Sequence, residues 1–372
     1  MPSFTFFTVI QLIANAEFVP FAFALIIGIP SAVLYCLELW VIIANFAEFN
    51  SAFFVLVIVR AILSLFNYVF SFFEQRFGKI GLFLPFYLKL PRFVLAFLFF
   101  VSRYIFHGEN LLTSFLLLNR FTSVLLPFNY EKLWRYVLVP ILFITFVLPL
   151  AFTFQILNLD MLIHVQKDNV TFTLDNNERT ANDNPSYSLR AASSALAFGI
   201  ICLLLNLASL FVFKFLRPKM DGNQQLHNAN NNNNHNAVFE RKMTIYTVAT
   251  FFGQFLMAIF TINVYLTSAS QFVDEQNNSY CLTQILFGIS SEENQLLFLA
   301  NFNQYPWVND LSTIVIPAWL LLWASSKMRK IMHKKCEFLR QMSKYFVNGR
   351  RNNNNKVATI KVQPIDAFKQ HK

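Results

Sequence analysis

Charge is scarce in this sequence. Only 13% of its 372 residues are Asp, Glu, Lys or Arg, 55% are hydrophobic, and 46 are Phe. A soluble domain carries about 25% charged residues, so a water-soluble enzyme or binding module is excluded and a polytopic membrane protein is expected. Cysteine is equally sparse. Cys36, Cys202, Cys281 and Cys336 are scattered, only Cys281 falls in a segment assigned outside below, and no external disulfide within the chain can be drawn. His227 and His235 lack ligand spacing and His107 stands alone, so neither a metal centre nor another cofactor is expected. The first 19 residues hold no Lys or Arg, which removes the basic start of a cleaved signal peptide. The first apolar run then serves as an uncleaved insertion signal.

What is present in abundance is apolar sequence of membrane-crossing length. Seven runs, 20–44, 51–73, 93–118, 134–157, 191–215, 244–266 and 307–325, each suit a helix crossing ~30 Å of hydrocarbon. The expected fold is an all-α membrane protein, a seven-helix bundle over 20–326, with a short N-terminus at 1–19 and a basic tail at 327–372. The net charge of +10 is concentrated in a few connections and in the tail, a distribution that reads as topology and gives no reason to expect nucleic acid as a partner. The connections 45–50, 119–133 with Arg135, 214–243 and the tail hold 21 Lys and Arg, while the N-terminus, 74–92, 158–190 and 267–306 hold 7. Positive residues stay inside, so the tail is expected in the cytoplasm and the N-terminus outside. Two glycosylation sequons, at Asn169 and Asn277, fall in connections assigned outside. The Asn-rich stretch 219–240 buries no apolar surface and is expected to be a disordered cytoplasmic loop. Residues 327–346 can form an amphipathic helix on an anionic inner leaflet, with Cys336 a weak candidate for lipidation.

Polar residues inside the runs are few and patterned. Arg103, His107, Asn110 and Ser114 form one stripe on the third run, Arg60, Ser64, Asn67 and Ser71 form another on the second, and Thr250, Gln254 and Thr261 mark the sixth. Such stripes belong in the bundle interior or on a water-filled cavity, which makes Arg103, His107, Asn110, Asn67 and Gln254 candidate ligand-binding residues. Counting depth at ~1.5 Å per residue puts Arg60 and Glu109 at similar levels, about 13–17 Å in, so an internal ion pair between them is expected, structural or functional. An alternative splits 80–126 into two spans around the polar link 103–110, giving eight helices and an outside tail, against the charge bias.

The third run ends on Leu118-Asn119-Arg120-Phe121-Thr122, followed by Pro127, Tyr130-Glu131-Lys132 and Trp134. Ile29-Pro30-Ser31 with Leu34-Tyr35, Phe49-Asn50-Ser51-Ala52-Phe53-Phe54, Ile316-Pro317-Ala318-Trp319-Leu320 and Ser325-Ser326-Lys327-Met328-Arg329 complete a set. Taken together over roughly residues 20 to 330, the set resembles the nematode serpentine chemoreceptors of class gamma (Srg). The resemblance implies a seven-helix receptor of sensory neurons in the plasma membrane, the sensory cilium included, that detects a small external chemical and signals through a heterotrimeric G protein. The sequence has no Asp-Arg-Tyr at the end of the third run and no Asn-Pro-x-x-Tyr in the seventh. Asn119 and Arg120, with Tyr130 and Trp134, would then form the switch that faces the G protein. Simple interfacial anchoring by Arg120 and the aromatics is the alternative. A transporter or channel with a polar path between the second and third helices is the second functional reading, although no internal repeat supports it. An enzyme comes third, since no nucleophile and base occur together.

Overall fold

The computed structural model describes residues 10–11, 18–126, 128–158, 161–165, 170–176, 187–212, 232–274 and 291–334. Seven long helices dominate them. They are α1, Phe18–Ala44, α2, Ala52–Lys79, α3, Arg92–Leu125, α4, Tyr130–Asn158, α5, Tyr187–Phe211, α6, Asn232–Asp274, and α7, built from Ser291–Asp310, Leu311–Val315 and Ile316–Ala324. Six of these are long and apolar enough to cross a membrane. The exception is α3, which carries Arg103, Glu109 and Arg120 and lies at the centre, packed against α2, α4, α5 and α6. Its polar load is tolerable because neighbouring helices surround it: Ser102, His107, Glu109, Asn110, Thr113, Ser114, Asn119 and Arg120 are all buried. The outer faces are apolar in turn, with Val139, Phe143 and Val147 on α4 and Leu196, Ile200 and Leu204 on α5 exposed. Polar inside and apolar outside is the arrangement lipid demands.

Several expected boundaries move. Helix α3 is unbroken from Arg92 to Leu125, which removes the eight-helix alternative. Helix α2 continues to Lys79, so Glu74 and Arg76, expected in an outer connection, are helical and buried. Helix α7 begins at Ser291, well before the expected 307, and its membrane-length portion is Leu296–Ala324. Helix α6 begins at Asn232, so the second half of the stretch expected to be a disordered loop is helical; 219–231 lie outside the described residues. At ~1.5 Å per residue its 43 residues reach about 65 Å, roughly twice the hydrocarbon thickness. The segment 326–334 is helical and belongs to a second unit that begins at Ser326. Cys336, Asn277 and Asn169 lie outside the described residues.

Among the described residues a complete π turn occurs at Ala24–Gly28 in α1, Phe72–Arg76 in α2 and Leu311–Val315 in α7. Two of them end just before Ile29-Pro30 and Ile316-Pro317. Proline has no N–H and its ring crowds the carbonyl four residues back, and a wider turn relieves that crowding. The carbonyl of Ala24 accepts the N–H of Ile29 and also the hydroxyl of Tyr68 at 2.7 Å, which ties α1 to α2.

Between α4 and α5 the chain forms an antiparallel hairpin absent from the sequence-based expectation, β1 at Met161–Val165 and β2 at Phe172–Asn176, with Ile163 opposite Leu174. Its inner side chains Met161 and Phe172 pack with Tyr87, Leu95 and Ala96. The Tyr87 hydroxyl donates to the Phe73 carbonyl at 2.6 Å, and burial pushes its pKa up to about 12, so it remains a donor at neutral pH. Two glycines permit this docking. A Cβ at Gly78 would sit 2.4 Å from the Phe172 carbonyl oxygen, and Gly81 adopts a positive φ of 69° against Val170.

Candidate functional site

Asn110 and Thr113 of α3, Phe198, Gly199 and Cys202 of α5, and Phe251 and Gln254 of α6 line a pocket with an empty volume of about 240 Å³. Its enclosed part has room for about one water. No carboxylate, Lys, Arg or His is among the side chains lining it. The Asn110 Nδ2 and Gln254 Nε2 groups are buried with no hydrogen-bond partner among the described residues. On the opposite wall Gly199 faces open space, since a Cβ there would meet nothing within 4 Å. Asn110 and Gln254, which sequence pattern alone places on different helices, therefore meet at one pocket.

The other expected ligand residues lie elsewhere. His107, 1% exposed, sits one turn away on α3, with its Nδ1 3.3 Å from the Ser194 hydroxyl and its ring between Phe106 and Phe152 at centroid distances of 5.3 and 5.5 Å. Arg103 lies 3.8 Å from the Glu74 carboxylate and stacks on Phe99, its guanidinium carbon 4.6 Å from the ring centroid. Asn67 is buried on α2 beside Tyr68 and is not among the residues lining the pocket.

The expected Arg60–Glu109 ion pair does not form among the described residues. Glu109 instead accepts a hydrogen bond from the Ser64 hydroxyl at 2.5 Å, which the two polar stripes bring face to face. All three guanidinium nitrogens of Arg60 are buried without a hydrogen-bond partner there, and so are both carboxylate oxygens of Glu38 and the hydroxyls of Tyr35 and Tyr246. Arg60, Glu38 and Glu109 lie within electrostatic range of the Tyr35 hydroxyl, and Arg60 and Glu38 within range of the Tyr246 hydroxyl. Depth counting matched Arg60 to the right helix; a serine hydroxyl one turn along α2 reaches the carboxylate first.

Near the C-terminal end of α3, Asn119 and Arg120 are buried, 0% and 5% exposed. The Tyr130 hydroxyl donates to Asn119 Oδ1 at 3.0 Å, and Trp134 Nε1 donates to Thr122 Oγ1 at 2.8 Å, so the first turns of α4 hold the end of α3 through side chains. The Arg120 guanidinium lies 3.7 Å from the centroid of the Phe53 ring on α2, and Phe53 meets Tyr246 of α6 edge-on at 6.0 Å. A snorkelling arginine reaches outward for water or headgroups. This one is packed inward on an aromatic ring that bridges α2, α3 and α6, so anchoring does not describe it.

One buried constellation escaped the sequence reading. Arg76, 1% exposed, donates from Nη2 to Asp310 Oδ1 at 2.5 Å and from Nη1 to the Ser71 hydroxyl at 2.6 Å. Its guanidinium carbon lies 5.2 Å from the Tyr68 ring centroid and 4.6 Å from that of Phe72. Arg76 belongs to the π turn of α2, and Asp310 immediately precedes that of α7. The signal in the sequence was a lone Asp at the start of an apolar run with no basic neighbour.

Among curated proteins the search found no match. Residues 21–332 match the family described as Srg family chemoreceptor, a receptor family, which agrees with a bundle whose ionisable groups are shared between helices and include no His, Cys, Asp and Glu cluster fit for a metal among the described residues. The match covers all seven helices, and the chain is a multi-pass membrane protein that belongs to the Srg family of seven-transmembrane chemoreceptors.

Proposed function

We propose that this chain is a chemosensory receptor of the plasma membrane, including the sensory cilium. Its N-terminus is outside, its ligand site is the α3–α5–α6 pocket, and its output is a heterotrimeric G protein at the inner ends of α3 and α6. The observation that carries this reading is that two helices each join the pocket to the same aromatic bridge. On α3, Asn110 lines the pocket and Arg120 rests on Phe53; on α6, Gln254 lines it and Tyr246 meets Phe53. Ten and eight residues of helix separate the members, about 15 and 12 Å. A ligand that spreads α3 from α6 therefore acts directly on the contacts that hold their inner ends together.

Loosening the bridge should mimic the ligand. A cation–π contact is worth about 1–2 kcal/mol in a desolvated site, a shift of about five- to thirtyfold in a two-state equilibrium. Phe53→Leu and Arg120→Ala should both reach the cell surface and change second-messenger output, Phe53→Leu by raising it without ligand. Normal surface levels with unchanged basal and evoked output in both would remove the bridge from the mechanism.

Orientation is tested separately. Asn169 and Asn277 should accept glycans while a tag inserted between 219 and 231 stays protected on intact cells, as the distribution of Lys and Arg requires. Deglycosylation should shift the gel mobility of wild type and leave Asn169→Gln/Asn277→Gln unmoved. Labelling of the tag without permeabilisation would reverse the assignment.

A further inference from the structure

The pocket also specifies the chemistry of its occupant, given the reading of it as the ligand site. We propose that it takes a small uncharged aliphatic carbonyl compound, a ketone or ester, whose oxygen accepts the N–H donors of Asn110 and Gln254. Both donors are buried and unpartnered among the described residues, and they come from different helices. A buried donor left unmade is costly, so the group that best completes the site is one that accepts twice and donates nothing. A carbonyl oxygen has two lone pairs and brings no donor that would need an acceptor of its own.

The rest of the wall sets charge and size. No ionised side chain lines the pocket, so a carboxylate or an ammonium would enter unpaired into a poorly solvated interior. Phe198 and Phe251 supply apolar contact for an alkyl chain. The enclosed part has room for about one water, enough for the carbonyl oxygen, and the empty volume of about 240 Å³ includes open space into which the alkyl chain extends. Gly199 faces open space and sets the length of chain accepted, because the first side-chain carbon placed there would occupy room now empty.

The test uses the full chain purified in detergent, with thermal unfolding as the readout and no G protein required. The probes are 2-heptanone, heptane, heptanoate and heptylammonium; heptane reports what partition into the micelle does alone. We expect 2-heptanone to raise Tm well above the effect of heptane, and the two ions to do nothing. Gln254→Leu and Asn110→Leu, close in volume, should hold or raise the unliganded Tm while weakening 2-heptanone about three- to tenfold each. Gly199→Ala should hold the unliganded Tm and shorten the longest ketone accepted, and Gly199→Leu should abolish stabilisation. An ion that stabilises wild type but not Gly199→Leu would overturn the carbonyl assignment and keep the pocket. Stabilisation by 2-heptanone that survives in every variant would overturn the pocket itself. A panel with no stabilising ketone would overturn the ligand class.

Discussion

Asp310→Ala should lower the thermal stability of the receptor more than any other single change in the bundle. The variant strands the Arg76 guanidinium, 1% exposed, beside an empty volume where its best acceptor stood. Removing one member of a buried ion pair typically costs ~3–5 kcal/mol, a large share of the ~5–15 kcal/mol that holds a domain together. Arg76→Ala should cost a similar amount, because it also strips the contacts to the Tyr68 and Phe72 rings. Arg76→Lys should not rescue it: a single ammonium cannot reproduce the planar fork that reaches Ser71 with one nitrogen and Asp310 with the other. The combined replacement Arg76→Met/Asp310→Leu should recover much of the loss. Unfolding in detergent, read as a double-mutant cycle, decides the matter. Strictly additive losses would show that the two residues act independently.

The second large effect should have the opposite sign. Glu38→Met/Arg60→Met should stabilise the folded receptor by about 1–3 kcal/mol, the cost of leaving a buried polar group without a hydrogen-bond partner. Arg60 and Glu38 are both 0% exposed, and the hydrogen-bonding atoms of both, with those of Tyr35 and Tyr246, lack partners among the described residues. The Arg76–Asp310 contact is a direct ion pair that fastens α2 to α7, with Arg76 Nε and Asp310 Oδ2 left without partners among the described residues; the Glu38–Arg60–Tyr246 group has no such direct contact among them, and it draws on α1, α2 and α6. A cluster that costs stability yet sits beside the Phe53 bridge fits an element that rearranges between two states. The stabilised double variant should accordingly lose its evoked response. A double variant that unfolds at lower temperature than wild type would show that these charges are structural.

Much of the fold was legible because lipid is a severe selector. Seven apolar runs, and polar residues spaced three and four apart within them, left few alternatives to a bundle with Arg60, Ser64, Asn67 and Asn110 inside, and all four are buried. Helix ends were less legible, for a consistent reason. Glu74 and Arg76 look like loop residues and Asp310 like an isolated charge at the start of the seventh run when read one at a time, and only the partner across the bundle, Arg103 for Glu74 and Arg76 for Asp310, makes each tolerable inside. The polar start of α7, with Glu292, Glu293 and Asn294, reads as a connection by composition although the chain there is helical. The hairpin was invisible for a related reason: its strands are five residues each, and what holds them is Tyr87 and the space left by Gly78 and Gly81, more than 70 residues earlier in the chain. The stripes put Asn110 and Gln254 in the bundle interior, where both are buried and line one pocket, while Gly199, which carries no functional group, could be found only from the space around it.

The π turns set the rotational phase in which the two ends of a helix meet their neighbours. Adding one residue to a helix advances every later side chain by ~100° around the axis, and a π turn is such an added residue held in place. In α2 the inward stripe of Arg60, Ser64, Asn67 and Ser71 ends where Phe72–Arg76 begins, and beyond it both Glu74 and Arg76 are buried. The turn works as a clutch between two halves of one helix, with the half toward Arg60 and the half toward Arg76 in different rotational phase. Losing one residue between 72 and 75 would swing Arg76 off Asp310 while leaving Arg60 where it is. A single deletion there would thus re-aim one end of the helix and leave the other end untouched, at the cost of the Arg76–Asp310 pair.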